Sequence, residues 1–261
     1  MKEIVLVPKE QPATSLEAEV ISPDIFAGKS VREIETLEVF YGNVKGKLGD
    51  FFDVTGTKVE DAEQIRIVVD GDVYRTKRIG QEMKSGEILV KGNADMYIGA
   101  RMKGGRIVVE GDVDSFAALQ MAGGELVIKG NAGNYLGSSY RGDWRGMKGG
   151  SIVVEGNIGS ESGEFMIGGK MHIKGNPGAF LGLHMSKGLI VIDGKAESRL
   201  GAQMIGGNIV AAKVGVLLPG FKFVENVKDV EIDGEVFKGK YAKYSGDHAE
   251  YRAKGNLYVK Q

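Results

Sequence analysis

The sequence has no cysteine. Disulfides, thiolate zinc sites, cysteine-held iron–sulfur clusters and a cysteine nucleophile are therefore excluded from this chain. Histidine is scarce: His172, His184 and His248 are the only three, and no two are spaced i, i+2 or i, i+4 as metal-binding pairs are. No apolar run approaches the 18 residues of a membrane helix, and the apolar run within the opening MKEIVLVPKE is far too short for a secretory signal, so a cytoplasmic location is expected. Neither charge sign dominates. Lys+Arg 34 against Asp+Glu 35 leaves a net charge of −1, which gives no electrostatic case for nucleic acid or an anionic membrane. A Walker loop is absent, as is a G-x-G-x-x-G turn opening a helix, and the acidic residues are scattered rather than paired. No catalytic residue, cofactor-binding residue or metal ligand is assigned.

What the sequence has instead is 41 glycines against only 5 prolines, in a chain of 261 residues still rich in Val, Ile and aromatics. Glycine in such a background is punctuation in a repeat rather than a sign of disorder. Met83, Met102 and Met121 are 19 apart, as are Met147, Met166, Met185 and Met204; the interval from Met121 to Met147 is one period plus seven residues. Each Met opens the same phrase, as in MKGGRIVVEGD and MKGGSIVVEGN, and IRIVVDGD (Ile65–Asp72) is an earlier divergent copy. Inside each copy, four or five Ile/Val-rich residues lie between Gly-Gly and Gly-Asn, the pattern of a strand between two turns. A period of 19 leaves no room for a covering helix. The expected fold is all-β: a single-stranded right-handed parallel β-helix of about eight coils over residues 61–213. It has a seven-residue insertion at 138–144, an N-terminal cap or cover segment at 1–60, and a strand-rich C-terminal tail at 214–261.

Stacking in order would file equivalent residues into columns. Asp70, Lys91, Glu110, Lys129, Glu155, Lys174 and Asp193 alternate in sign at every step; Arg66, Glu87, Arg106 and Glu125 do the same until Ser151. Opposite charges on paired strands favour that register and like charges oppose a slip. Tyr97, Phe116 and Tyr135, then Phe180 beyond Glu161, form an aromatic column read as packing against a core, with a ligand-stacking platform as the alternative.

The middle residue of each strand should face outward, yet these positions read Val68, Leu89, Val108, Val127, Val153, His172, Val191 and Val210. A contiguous apolar stripe marks a covered surface or an interface. The chain's own flanks or a partner could supply the cover. The insertion holds Tyr140, Arg141, Asp143 and the only Trp, Trp144, followed by Arg145, residue types that dominate interface hot spots. Tucking onto its own coil, partner contact and a small-molecule role stay open for it. Tyr140, Arg141, Asp143, Trp144, Arg145, Leu89, Val108, Val127, Val153 and Val191 are thus the candidate partner-binding residues. In the flanks, Ile4–Val7, Val214–Leu218, Val230–Ile232 and Leu257–Val259 read as strands and Lys29–Leu37 as a short helix.

The phrase [G/W]-x-x-M-x-x-G-x-[I/L]-x-[V/I]-x-G runs through Gly80–Gly92, Gly99–Gly111, Trp144–Gly156, Gly163–Gly175 (with Met171 in the Ile/Leu slot) and Gly182–Gly194. Ala118–Gly130 lacks the first Gly and Gly201–Lys213 lacks the last. Together with VISPDIFAGKSVREIE, YGNVKGKLGDFFDV, YRGDWRGM and VLLPGF, the phrase resembles the C subunit of formylmethanofuran dehydrogenase from methanogenic archaea, over nearly the whole chain. The coils are also similar to the C-terminal β-helix of the large glutamate synthase subunit, and to the C subunit of the formyltransferase/hydrolase complex of methylotrophs. The first resemblance implies a non-catalytic subunit of an oxidoreductase complex that reduces CO2 to formate and condenses it with methanofuran, the first step of methanogenesis from CO2. It also implies that a tungsten or molybdenum pterin, iron–sulfur clusters and a binuclear metal site reside in partner subunits, a pterin subunit and an amidohydrolase-like subunit.

Overall fold

The computed structural model describes residues 1–261. It is nearly all-β and is dominated by one 13-stranded, mostly parallel sheet, with a 4-stranded sheet beside its N-terminal end. The N-terminal segment contributes β1 (Lys2–Pro8), β2 (Leu16–Glu17), β3 (Glu38–Tyr41), β4 (Val44–Lys47) and β5 (Phe52–Gly56). Helices are few and short: α1 (Pro23–Phe26), α2 (Val31–Glu35) and α3 (Leu48–Phe51). The helix expected within Lys29–Leu37 is α2. Ser30 and Glu33 close a capping box at its start, each side chain satisfying the other residue's backbone N–H.

The repeat begins with β6 (Ile65–Val69), then β7 (Thr76–Lys77), which joins the small sheet beside β2. β8 (Glu87–Val90), β9 (Arg106–Val109), β10 (Glu125–Ile128), β11 (Ser151–Val154), β12 (Ile167–Ile173), β13 (Lys187–Ala196) and β14 (Asn208–Val214) follow. From β6 to β14 each strand of the main sheet pairs in parallel with the next, one repeat apart. The register is the one the columns require: Ile88 faces Ile107, Ile107 faces Leu126, and Leu126 faces Ile152. A second file of parallel bridges runs Val73, Ala94, Val113, Ala132, Ile158, Pro177, again one repeat apart. β1 pairs in parallel with β6, and β5 in antiparallel fashion with β1, so the first residues extend the main sheet past the first repeat.

The core lies between the two files. All seven repeat methionines are fully buried there, with Ile88, Ile107, Leu126, Ile152 and Ile190. The Gly-Gly corner explains itself at Gly124. Its φ is +82°, and a Cβ there would stand 2.7 Å from both the Gly105 carbonyl oxygen and the Met102 methyl of the preceding repeat. Each methionine thus seats beneath a later glycine. The Gly-Asn corner does something that the turn pattern does not disclose. The side chain of Asn93 accepts a hydrogen bond from the Asp112 N–H (2.8 Å), Asp112 from Asn131 (2.6 Å), Asn131 from Asn157 (2.9 Å) and Asn157 from Asn176 (2.8 Å). One side chain per repeat therefore satisfies the next repeat's backbone.

Both charge columns are in place. Lys91–Asp70 (3.1 Å), Lys129–Glu110 (3.1 Å) and Lys174–Glu155 (3.0 Å) pair in one. In the other, Arg66–Glu87 (2.7 Å) is followed by Arg106, which lies 3.9 Å from Glu87 and 2.7 Å from Glu125. Arg106→Glu would stack three carboxylates in that column. We expect a loss of about 1–2 kcal/mol of unfolding free energy in low salt, shrinking as salt screens the column. Urea unfolding at two ionic strengths measures it.

The C-terminal segment is strand-rich, with Val230–Ile232 and Leu257–Val259 in strands, but departs from its sequence reading at one place. Val214–Leu218 is not a strand: β14 ends at Val214 and the chain turns, with Gly215 and Val216 donating to Ala196 and Glu197 of the preceding repeat. A long antiparallel hairpin follows, β15 (Lys222–Ile232) and β16 (Glu235–Gly246), and then β17 (Gly255–Lys260). β17 pairs in parallel with β14 in the slot a further repeat would fill, with Leu257 opposite Ile209. The hairpin folds back over the outer face of the sheet, and Glu235 near its tip pairs with Lys170 of β12.

Candidate functional site

Two surfaces bring the candidate residues together. The first is the outer face of the main sheet. Along β8 to β10 the outward positions run charge, apolar, charge, so the apolar file lies between two charged columns. At its C-terminal end this file is covered by the chain itself. Val191 is only 5% exposed and Val210 4%, both packed in a separate small core with Val230, Ile232 and Tyr241 of the hairpin. Of the two covers the sequence reading leaves open, the chain's own flank is the one found over Val191: within the chain it is buried by the hairpin. The cover stops at β12, where His172 is held by Asp193 (2.8 Å). Beyond it Leu89, Val127 and Val153 remain half-buried. Val68 and Val108 are set deeper, at 4% and 6% exposed, but belong to neither apolar core. Together these five residues make a strip free of the hairpin across five strands, about 20 Å long at the usual strand spacing.

The second surface lies on the turns. Tyr97, Phe116 and Tyr135 stack at 5.2 Å and 4.8 Å with planes 11° and 4° apart. The sequence reading has this column packing against the core, and it does not. Each ring sits on a residue with φ of 63–65°, and the next residue, Ile98, Ala117 or Leu136, takes the inward place. The rings are turned outward and only half-buried. Arg78 lies over the first ring (5.0 Å to its centre) and Arg199 over Phe180 (4.8 Å).

The insertion rises beside this column. Gln120, 6% exposed, anchors it by donating to Asp143 (2.8 Å) and to the Arg145 carbonyl (3.1 Å), and Arg145 pairs with Asp143 (3.2 Å). Burial works against ionisation of Asp143, but the hydrogen bonds from Arg145 and Gln120 hold its carboxyl below the ordinary aspartate range. Trp144 does not tuck onto its own coil. It is 73% exposed and lies roughly perpendicular to the ring of Phe165 (5.2 Å, 85°), which itself stacks on His184 (4.8 Å, 7°). Column and insertion enclose a groove of about 620 Å³ with Tyr97, Phe116, Tyr135, Tyr140, Trp144 and Phe165 as its aromatic lining and Arg141, Asp143, Glu161 and Glu164 as its charges. Burial, then the charge of Glu161, raises the proton affinity of Glu164; the same two causes raise that of the Tyr135 hydroxyl. Sequence reasoning does not single out Gln120 or Glu164. Gln120 occupies a turn slot filled by Glu82 and Arg101 in earlier repeats, a difference that gains meaning only once the insertion is seen to hang from it.

No protein-family model matches the chain. Individual proteins do. The chain is 57% identical over 260 residues, 99% of its own length and 96% of the relative's, to the C subunit of tungsten-containing formylmethanofuran dehydrogenase 2 of Methanothermobacter thermautotrophicus. The chain belongs to the family of formylmethanofuran dehydrogenase C subunits. A further member, the C subunit of tungsten-containing formylmethanofuran dehydrogenase 2 of Methanococcus maripaludis, is 49% identical over 266 residues, 99% of this chain and 97% of that one. The fold is shared more widely. A chain of the formyltransferase/hydrolase complex of Methylorubrum extorquens, solved by X-ray crystallography with methylofuran, superposes with a TM-score of 0.84 over 98% of this chain and 99% of that chain, at 24% identity. The resemblance read from the Met-Gly phrase is thereby shown at the level of the family. No helix of this family member is long and apolar enough to cross a membrane.

Proposed function

We propose that this chain is a non-catalytic scaffold of the formylmethanofuran dehydrogenase complex, working in the cytoplasm. Its repeats would close into a single-stranded right-handed parallel β-helix that holds the catalytic subunits in register. The helical closure is supported by two parallel files one repeat apart with a continuous methionine core between them, and the hand by the near-universal right-handedness of parallel crossovers. The single observation that carries the scaffold role is the apolar strip from Val68 to Val153. The chain covers the same file elsewhere with its own hairpin, yet leaves this stretch without that cover, flanked by charged columns. On this reading CO2 is reduced to formate, and formate condensed with methanofuran, in partner subunits. A pterin subunit would carry the tungsten or molybdenum and the iron–sulfur clusters would sit with it; an amidohydrolase-like subunit would carry a binuclear metal site. This chain would bind none of these groups.

Affinity purification of the chain from its native cell, followed by metal analysis, tests the proposal. Recovery with tungsten or molybdenum and iron in the eluate is the expected result. A stable monomer recovered free of all three overturns it.

A further inference from the structure

The aromatic column is interrupted where the groove opens. In order along the stack it reads Arg78, Tyr97, Phe116, Tyr135, Glu161, Phe180, Arg199. Both ends are closed by arginines of the chain, one on Tyr97 at 5.0 Å and the other on Phe180 at 4.8 Å. Phe116 covers one face of Tyr135 at 4.8 Å, and no ring covers the other. Glu161 occupies the next position in the column instead, its carboxylate 3.4 Å from the Tyr135 hydroxyl. Glu164 lines the same groove.

These two carboxylates differ from the rest of the stack. In the charged columns nearly every acid has a basic neighbour, but neither Glu161 nor Glu164 has a cation within 4 Å. The nearby cations are otherwise placed: Arg145 is paired with Asp143 in the loop, and Arg141 lines the rim without reaching either glutamate. The groove therefore presents a tyrosine face that no other ring covers, an exposed indole and two carboxylates without a cation, all lining one space.

We propose that this groove receives an arginine side chain from a partner polypeptide, its guanidinium laid on Tyr135 and forked to Glu161 and Glu164, with Trp144 as the outer wall. Arginine fits where lysine does not, because a planar guanidinium stacks on a ring and spans a carboxylate at the same time. The chain already uses that contact twice in this column, with its own Arg78 and Arg199. The proposal rests on the scaffold reading, in that it names the chemistry a partner must present.

Trp144 is the only tryptophan, so its fluorescence reports on the groove alone. The full-length chain is titrated with acetyl-Gly-Arg-Gly amide and with the same peptide carrying citrulline, a neutral isostere of arginine. A saturable change is expected with the arginine peptide. Binding should be at least tenfold weaker with citrulline, and at least tenfold weaker for the arginine peptide with Glu161→Gln or Glu164→Gln. Neither glutamate is ion-paired, so both variants should unfold at the wild-type midpoint. No saturable response, or equal responses to arginine and citrulline, overturns the proposal. A silent titration from a chain that still purifies with its partner subunits sinks the groove and leaves the scaffold standing. A chain recovered alone that binds the arginine peptide does the reverse.

Discussion

Val127→Glu is expected to strip the partner subunits from the chain while leaving the chain folded. Val127 sits near the middle of the apolar strip on β10, with Val108 and Val153 as its register neighbours. In the free chain a glutamate there can turn its carboxylate into water, so the unfolding free energy should fall by no more than about 1 kcal/mol. Against a docked partner the same carboxylate is dehydrated, and the neighbouring cations, Lys129 and Arg106, are already paired with Glu110 and Glu125. A cost of about 2–5 kcal/mol of association free energy follows, roughly thirty-fold or more in affinity. Val210→Glu makes the comparison. That residue is in the same file but lies beneath the hairpin, packed in the small core with Val230 and Tyr241. Its substitution should destabilise the chain itself by several kcal/mol. Co-purification and urea unfolding of the two variants separate the effects. If Val127→Glu retains its partners at wild-type yield, the strip is not an interface.

Gly124→Ala is expected to destabilise the chain strongly through a single methyl group. The added Cβ would need a left-handed backbone at φ +82° and would overlap the Gly105 carbonyl oxygen and the Met102 methyl, each at 2.7 Å. The carbonyl belongs to the backbone of the preceding repeat and cannot swing aside. Conformational strain of about 1–2 kcal/mol and overpacking of similar size give a loss of about 2–4 kcal/mol. Gly142→Ala separates the two contributions. Gly142 has φ +86°, but a Cβ there would meet nothing within 4 Å, so only the strain applies. Unfolding midpoints for Gly124→Ala and Gly142→Ala that coincide would refute the idea that the glycine corner exists to seat a methionine.

What repeats is legible in the sequence. Period, strand positions, register and the longer charged column can be read because each is written about seven times, and the shorter charged column over four, and an accident does not recur at a spacing of 19. The side on which a turn residue sits is another matter. Tyr97, Phe116 and Tyr135 read as core because aromatic side chains are usually buried, and the left-handed backbone that sends them outward is not marked by glycine at those positions. The asparagine file is visible as Gly-Asn, yet hydrogen bonding from one repeat to the next is a property of the stack and not of any single turn. What is written once is hardest to read. The hairpin β15–β16 has no internal copy to reveal its length, so a cover from the chain's own flank can be named only as one alternative, and its reach over Val191 and Val210 does not emerge from the pattern. The anchoring of the insertion by Gln120 escapes for the same reason.

That hairpin also bears on how the molecule is made. In a stack whose turns touch only their neighbours, the terminal turn has least to hold it. Here the last three strands of the file, β12, β13 and β14, are bound by a segment that begins only at Lys222. A chain emerging from the ribosome can lay down its early turns as they appear. Its far end stays unlatched until β15 and β16 are out, so a product truncated before them would betray itself by a bare apolar edge.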